Sequence, residues 1–190
     1  FNRLTGAKVL AKDMLFATLD PTMRALKLPS GRDVILSDTV GFISSLPTEL
    51  VAAFRATLEE VLAADVVVHV RDITHPETEA QKADVETILD VLGVDEDRAS
   101  IEVWNKIDLL SAEERDPLET AAARLEGTVT SSAMKDAGLV TLVDAIETAL
   151  DQGRRKDTLV LEYGEGKKRA WLYEQGVVTG ERETEAGAEV

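Results

Sequence analysis

Apolar positions recur along the chain in two alternating rhythms. Short β-branched runs stand at 33–38 (DVILSD), 65–73 (DVVVHVRDI), 101–104 within SIEVWNKIDLL (100–110), and 127–131. They are separated by stretches with apolar residues three and four apart, which is helical spacing. The stretch at 49–64 carries Leu50, Val51, Phe54, Leu58, Val61 and Leu62 on that period. The stretch at 77–92 places Val85, Ile88, Leu89 and Leu92 on one stripe, and 138–152 does the same with Leu139, Leu142, Val143, Ile146 and Leu150. A further helix is expected at 112–125. The valine run at 66–68 and 70 suits a strand buried on both faces, with Trp104 packed in the core. Ahead of these elements, FNRLTGA at 1–7 reads as a helix end stopped by Gly6. Met23, Ala25 and Leu26/Leu28 suggest a half-buried strand ending at the Ser30–Gly31 turn.

Strands alternating with helices predict an α/β fold with a mostly parallel sheet between helical layers. In such sheets ligands bind beyond the carboxyl ends of the strands, so residues just after each strand are the place to seek chemistry. The pattern changes at the cationic break GRRKD (153–157). Two strands and a short helix near 165–175 are expected beyond it, a small α+β appendage with too little core for independent stability. The last ten residues, ERETEAGAEV, are expected to fray.

Composition narrows the class. The chain has 190 residues, 44% hydrophobic and 30% charged, an ordinary globular balance. It has no cysteine and only two histidines, which removes disulfides, thiolate chemistry and a closed zinc site. No apolar run reaches the ~20 residues of a membrane span. The expectation is a cytoplasmic monomer. A net charge of −15 disfavours free DNA or other naked nucleic acid as a ligand.

Four loops carry candidate chemistry. Phe16-Ala17-Thr18-Leu19-Asp20 precedes a strand; Thr18 offers a hydroxyl to Mg²⁺ and a backbone N–H to a γ-phosphate, as a switch segment would. Asp38-Thr39-Val40-Gly41 follows a strand; the Asp38 carboxylate can hold Mg²⁺ through water, and Gly41 lets its N–H approach a terminal phosphate. Asn105-Lys106-Ile107-Asp108 follows another strand. One carboxylate, Asp108, can accept both adjacent donors of guanine, whereas adenine would leave it unpaired. The Lys106 stem can cover the base, and Asn105 can tie neighbouring loops. Ser132-Ala133-Met134 can set a backbone N–H against the guanine carbonyl. Each loop alone equally suits an ordinary turn; their order along the chain is what points to a nucleotide site. His69, His75 and Asp72 read as ordinary strand and turn residues, and Lys167, Lys168 and Arg169 as a surface helix.

FNRLTGAKV, FATLDPT, DTVGFI, the LP-x-x-LV-x-AF-x-x-TLEE helix and NKID together resemble the HflX family, in the Obg–HflX group of translation-factor-class GTPases. The resemblance covers residues 1 to about 150, and LEYGEGKKRAWLYEQGVV resembles the small appended domain of that family. It implies a P-loop GTPase-like three-layer fold, with 1–152 as a partial GTPase domain and 153–190 as linker and partial C-terminal domain. It implies binding and hydrolysis of GTP with Mg²⁺, GDP as product, and action on the large ribosomal subunit, including ribosome splitting under stress. The family's G-K-S/T phosphate loop, and the central strand before it, do not occur in these residues. An upstream segment is therefore expected, and the 190 residues alone are expected to be inactive. The alternative is a non-catalytic ribosome-interaction module that has lost its phosphate loop. Phe42 stands where many GTPases carry a water-orienting Gln, so hydrolysis is expected to be slow and to need an outside group.

Overall fold

The computed structural model describes residues 1–8, 22–39, 41, 60–95, 98–152, 157–184 and 187–190. A short helix α1 (Asn2–Thr5) closes at Gly6. Strands β1 (Thr22–Lys27) and β2 (Asp33–Asp38) form an antiparallel hairpin through the turn at Gly31, with Thr22 opposite Asp38. Three parallel strands follow: β3 (Val67–Asp72), β4 (Ser100–Asn105) and β5 (Thr128–Thr130), in the order β3-β4-β5. The crossovers are α2 (Thr78–Leu92) and α3 (Ala112–Ala122), and α4 (Leu139–Gln152) returns after β5. This is the alternation the hydrophobic rhythm predicts. Of the stretch expected to be helical at 49–64, residues 60–63 are helical and 49–59 lie outside the described residues. The Arg98 guanidinium caps that helix end by donating to the carbonyls of Val61, Leu62 and Ala64.

The core lies where α4 crosses the parallel sheet. Ile101, Val103 and Val129 from the strands meet Leu142 and Ile146 from α4, with Leu28 from the hairpin turn. The α4 stripe matches the expected positions, and Val85 anchors α2. Three expectations change. In β1 the pleat turns Leu26 inward and leaves Met23 and Ala25 exposed, because alternate side chains of a strand face opposite ways. In β3 Val70 is 58% exposed beside a cavity, so this strand is not buried on both faces. Trp104 is half-buried rather than in the core, and its indole N–H donates to Glu102.

The far end of the chain forms a second sheet of three strands: β6 (Val160–Glu162), β7 (Arg182–Thr184) and β8 (Gly187–Glu189), in the order β6-β8-β7, with helix α5 (Gly166–Glu174). The expectation of a fraying tail is therefore wrong. β8 is the central strand, Ala188 is buried, and Val190 and Leu159 exchange backbone hydrogen bonds. The reason is steric. At Gly187, with φ 154°, a Cβ would stand 1.9 Å from the Leu161 carbonyl oxygen, so the backbones meet only because the side chain is absent.

Candidate functional site

The parallel register brings the carboxyl ends of β3, β4 and β5 level. Asp72 lies opposite Asn105, and Trp104 opposite Thr130. The loops leaving these ends carry the base-reading candidates. After Asn105 the chain turns sharply: Lys106 has φ 69°, and Ile107–Leu109 forms a single 3₁₀ turn with Ile107 buried. That turn is bonded to the β5 end, with Ile107 N–H donating to the Ser131 carbonyl and Ser131 N–H to the Trp104 carbonyl.

Asn105 ties the loops as its chemistry allows. Its Oδ1 accepts from the Ser131 hydroxyl at 3.1 Å and from the Ala133 N–H at 3.2 Å. Ser132 is 1% exposed, and its hydroxyl donates to Asp108 Oδ1 while accepting from the Lys135 N–H. One serine thus fixes the carboxylate that would face a base, and a carboxylate's several lone pairs leave it able to accept further donors from a ligand. Ala133 and Met134 are exposed on the loop, and Arg3 donates to the Ala133 carbonyl at 3.0 Å, linking α1 to it. The loop needs Gly138: at φ 72° a Cβ would stand 2.0 Å from the Thr130 carbonyl oxygen.

A cavity of about 440 Å³ connects these loops to the end of β2. Asp38, Thr39 and Gly41 line one side, and Asp72, Asn105 and Ala133 another. Phe16, Ala17, Thr18, Leu19, Asp20, Val40 and Phe42 lie outside the described residues. Among the described residues no three carboxylates or imidazoles converge as a metal cluster. A lone Asp38 at the cavity edge fits Mg²⁺, which takes few protein ligands when phosphates and waters supply the rest.

The sequence reading missed Asp72. It is not a solvated turn residue: Oδ1 accepts from the Thr74 N–H and hydroxyl at 3.0 and 2.7 Å, and Oδ2 from the Lys106 ammonium at 2.8 Å. Burial alone would raise its pKa, but the Lys106 and Thr74 donors hold it below the ordinary value. The available signal was an acidic residue at the carboxyl end of the strand neighbouring NKID. Behind the loops lies a charged cluster. Arg71, 5% exposed, bridges Glu102 on β4 and Glu79 on α2, while Lys82 reaches Glu102 at 2.7 Å. Burial by itself would raise Glu102, but donors from Lys82, Trp104 and Arg71 push it down to about 2. Burial lowers His69 beside this cluster, so it is held neutral rather than set up as an acid.

A family model described as "50S ribosome-binding GTPase" matches residues 1–106. The chain is 44% identical over 185 residues to GTPase HflX of Magnetococcus marinus, covering 97% of this chain and 42% of that protein. It is 43% identical over 189 residues to GTPase HflX of Caldanaerobacter subterraneus subsp. tengcongensis, again spanning 42% of that protein's length. Among solved structures, Era in complex with MgGDPNP and a 16S ribosomal RNA segment aligns over 82% of this chain and 53% of that one, at 24% identity and a TM-score of 0.59; it shows a shared fold. The chain spans about two fifths of the length of these curated relatives. The NKID turn thus stands in the GTPase fold it suggested, and the chain belongs to the 50S ribosome-binding GTPase family, in its HflX branch.

Proposed function

We propose that this chain supplies the base-reading and switch half of a GTPase that binds GTP, hydrolyses it slowly and acts on the large ribosomal subunit, splitting ribosomes under stress. The observation that carries the reading is the Asp108 carboxylate, held by the buried Ser132 on a loop tied through Asn105. A carboxylate fixed in this way selects a base with two adjacent donors, which guanine has and adenine lacks. The ribosome as target follows the description of the matched family, and the cytoplasm as location follows the HflX resemblance of the sequence. Among the described residues no helix is long and apolar enough to cross a membrane.

Asp38 and Thr18 would hold Mg²⁺, which when bound neutralises charge on the phosphates. Phe16, Ala17, Leu19 and Asp20 would frame Thr18 in the switch. Thr39, Val40 and Gly41 would present backbone to the terminal phosphate, Gly41 closest for want of a Cβ. Lys106 would form the floor under the base on the turn that the buried Ile107 anchors, and Ala133 and Met134 would form its back edge. Phe42 cannot orient water, so an outside group must speed the reaction.

The cavity between β2 and β3 supports the remaining part. Among the described strands each of the two is paired on one side only, and both border the same cavity. A central strand carrying a phosphate loop would fill that space. On this reading 1–152 is most of a GTPase domain, 153–190 is linker and part of a second, and these 190 residues alone bind GTP very weakly. The test is titration with labelled nucleotides. In the complete gene product, Asp108→Asn weakens GTP and strengthens xanthosine triphosphate, whose ring carbonyl pairs with an amide. An unchanged preference, or tight GTP binding by the 190 residues alone, would overturn the reading.

A further inference from the structure

We infer that Asp72 is a positioning residue of the nucleotide site: its carboxylate holds the Lys106 ammonium so that the lysine stem lies flat beneath the base. The inference rests on the guanine-nucleotide reading and deepens it.

The two oxygens of Asp72 divide the work. Oδ1 takes both Thr74 donors and fixes the carboxylate against its own turn, leaving Oδ2 for Lys106 at 2.8 Å. The anchor is firm because Asp72 ends β3 in register with Asn105, the residue just before Lys106. Asp72 is about three-quarters buried, whereas Lys106 is 47% exposed. The rigid partner therefore orients the mobile one. Lys106 also sits at φ 69° at the head of the 3₁₀ turn, and its ammonium reaches Asp72 at the end of the neighbouring strand. Asp72, Asn105 and Ala133 line the cavity that a phosphate-loop strand would fill, so on the guanine-nucleotide reading Asp72 stands between that loop and the loops that read the base. A lysine with four rotatable bonds covers a flat ring well only if something holds its far end.

This role makes a prediction that an edge-reading role does not. A stem beneath the ring feels the face of the base, which guanine and hypoxanthine share. Asp108 feels the edge, where hypoxanthine lacks the exocyclic amine. Asp72→Asn is the informative change, because an amide oxygen still accepts from Thr74 while the charge facing Lys106 is gone.

The experiment measures dissociation of fluorescent GDP and IDP from the complete gene product. Asp72→Asn should speed release of both by the same factor, about two- to fivefold, the range of a partly exposed ion pair. In a Lys106→Met background Asp72→Asn should add nothing further, and Asp72→Glu should recover part of the loss. Altered release of GDP relative to IDP, or an undiminished effect in the Lys106→Met background, would overturn the inference. If the unaltered protein shows no preference for GDP over ADP, the guanine reading fails; if that preference stands and Asp72→Asn leaves release unchanged, only the clamp fails.

Discussion

Glu102→Gln should cost about 2 kcal/mol of stability at neutral pH, through loss of one charge behind the nucleotide site. Glu102 accepts from Arg71, Lys82 and Trp104, and its pKa lies at about 2 against an ordinary 4.5. That depression corresponds to at most about 3 kcal/mol of added stability for the charged form. Leaving the Arg71 guanidinium buried without its carboxylate would cost ~3–5 kcal/mol if it had no other partner. Two observations reduce the figure: Glu79 still pairs with Arg71, and Glu79 and Lys82 are open enough to solvent to be screened. Since the folded pKa is the lower one, the stability is fully present above about pH 4.5 and is lost as pH falls toward about 2. Urea unfolding of both proteins from pH 7 to pH 2.5 reads this directly. The gap in midpoint should be widest at pH 7 and should close across that acid window. Equal stability at pH 7, or a gap that stays constant down to pH 2.5, would refute the reasoning.

Two further outcomes concern glycines. Gly138→Ala places a Cβ 2.0 Å from the Thr130 carbonyl at a positive φ, and should destabilise by about 2–4 kcal/mol in thermal unfolding, with weakened guanine-nucleotide binding as the base loop shifts. Gly187→Ala drives a Cβ against the Leu161 carbonyl and should release β8 from its sheet, seen as rapid amide exchange and early proteolysis of the last residues; unchanged protection would show the tail is held another way.

Legibility in the sequence followed the range of the interaction. The NKID turn could be read because its chemistry lies within four residues: a strand ends, the chain turns, and a carboxylate follows. The α4 stripe could be read because a helix face repeats every three to four residues. Asp72 could not, since its meeting with Lys106, 34 positions away, depends on the register of two parallel strands. The tail misled for a different reason. Its glutamates signal solvent, but a central strand of a small sheet needs only two small residues at the contact, Gly187 and Ala188. Trp104 misled because an aromatic ring on a buried strand is ordinarily core, whereas here its N–H is needed by a carboxylate. The Phe16–Asp20 segment and Phe42 lie outside the described residues, so their roles rest on sequence and resemblance.

The parallel pairing also sets an order in time. Val67 meets Ser100, and Glu102 meets Thr128, so each strand finds its neighbour only after a whole crossover has been made. Loop closure over such distances slows folding relative to local contacts. On a growing chain Asp72 emerges first, Lys106 and Asp108 follow, and Ser132 comes 24 residues after Asp108. The serine that holds the Asp108 carboxylate is thus among the last residues around the parallel sheet to be synthesised. On the guanine-nucleotide reading, the loop that would face the base is secured only once that sheet has closed.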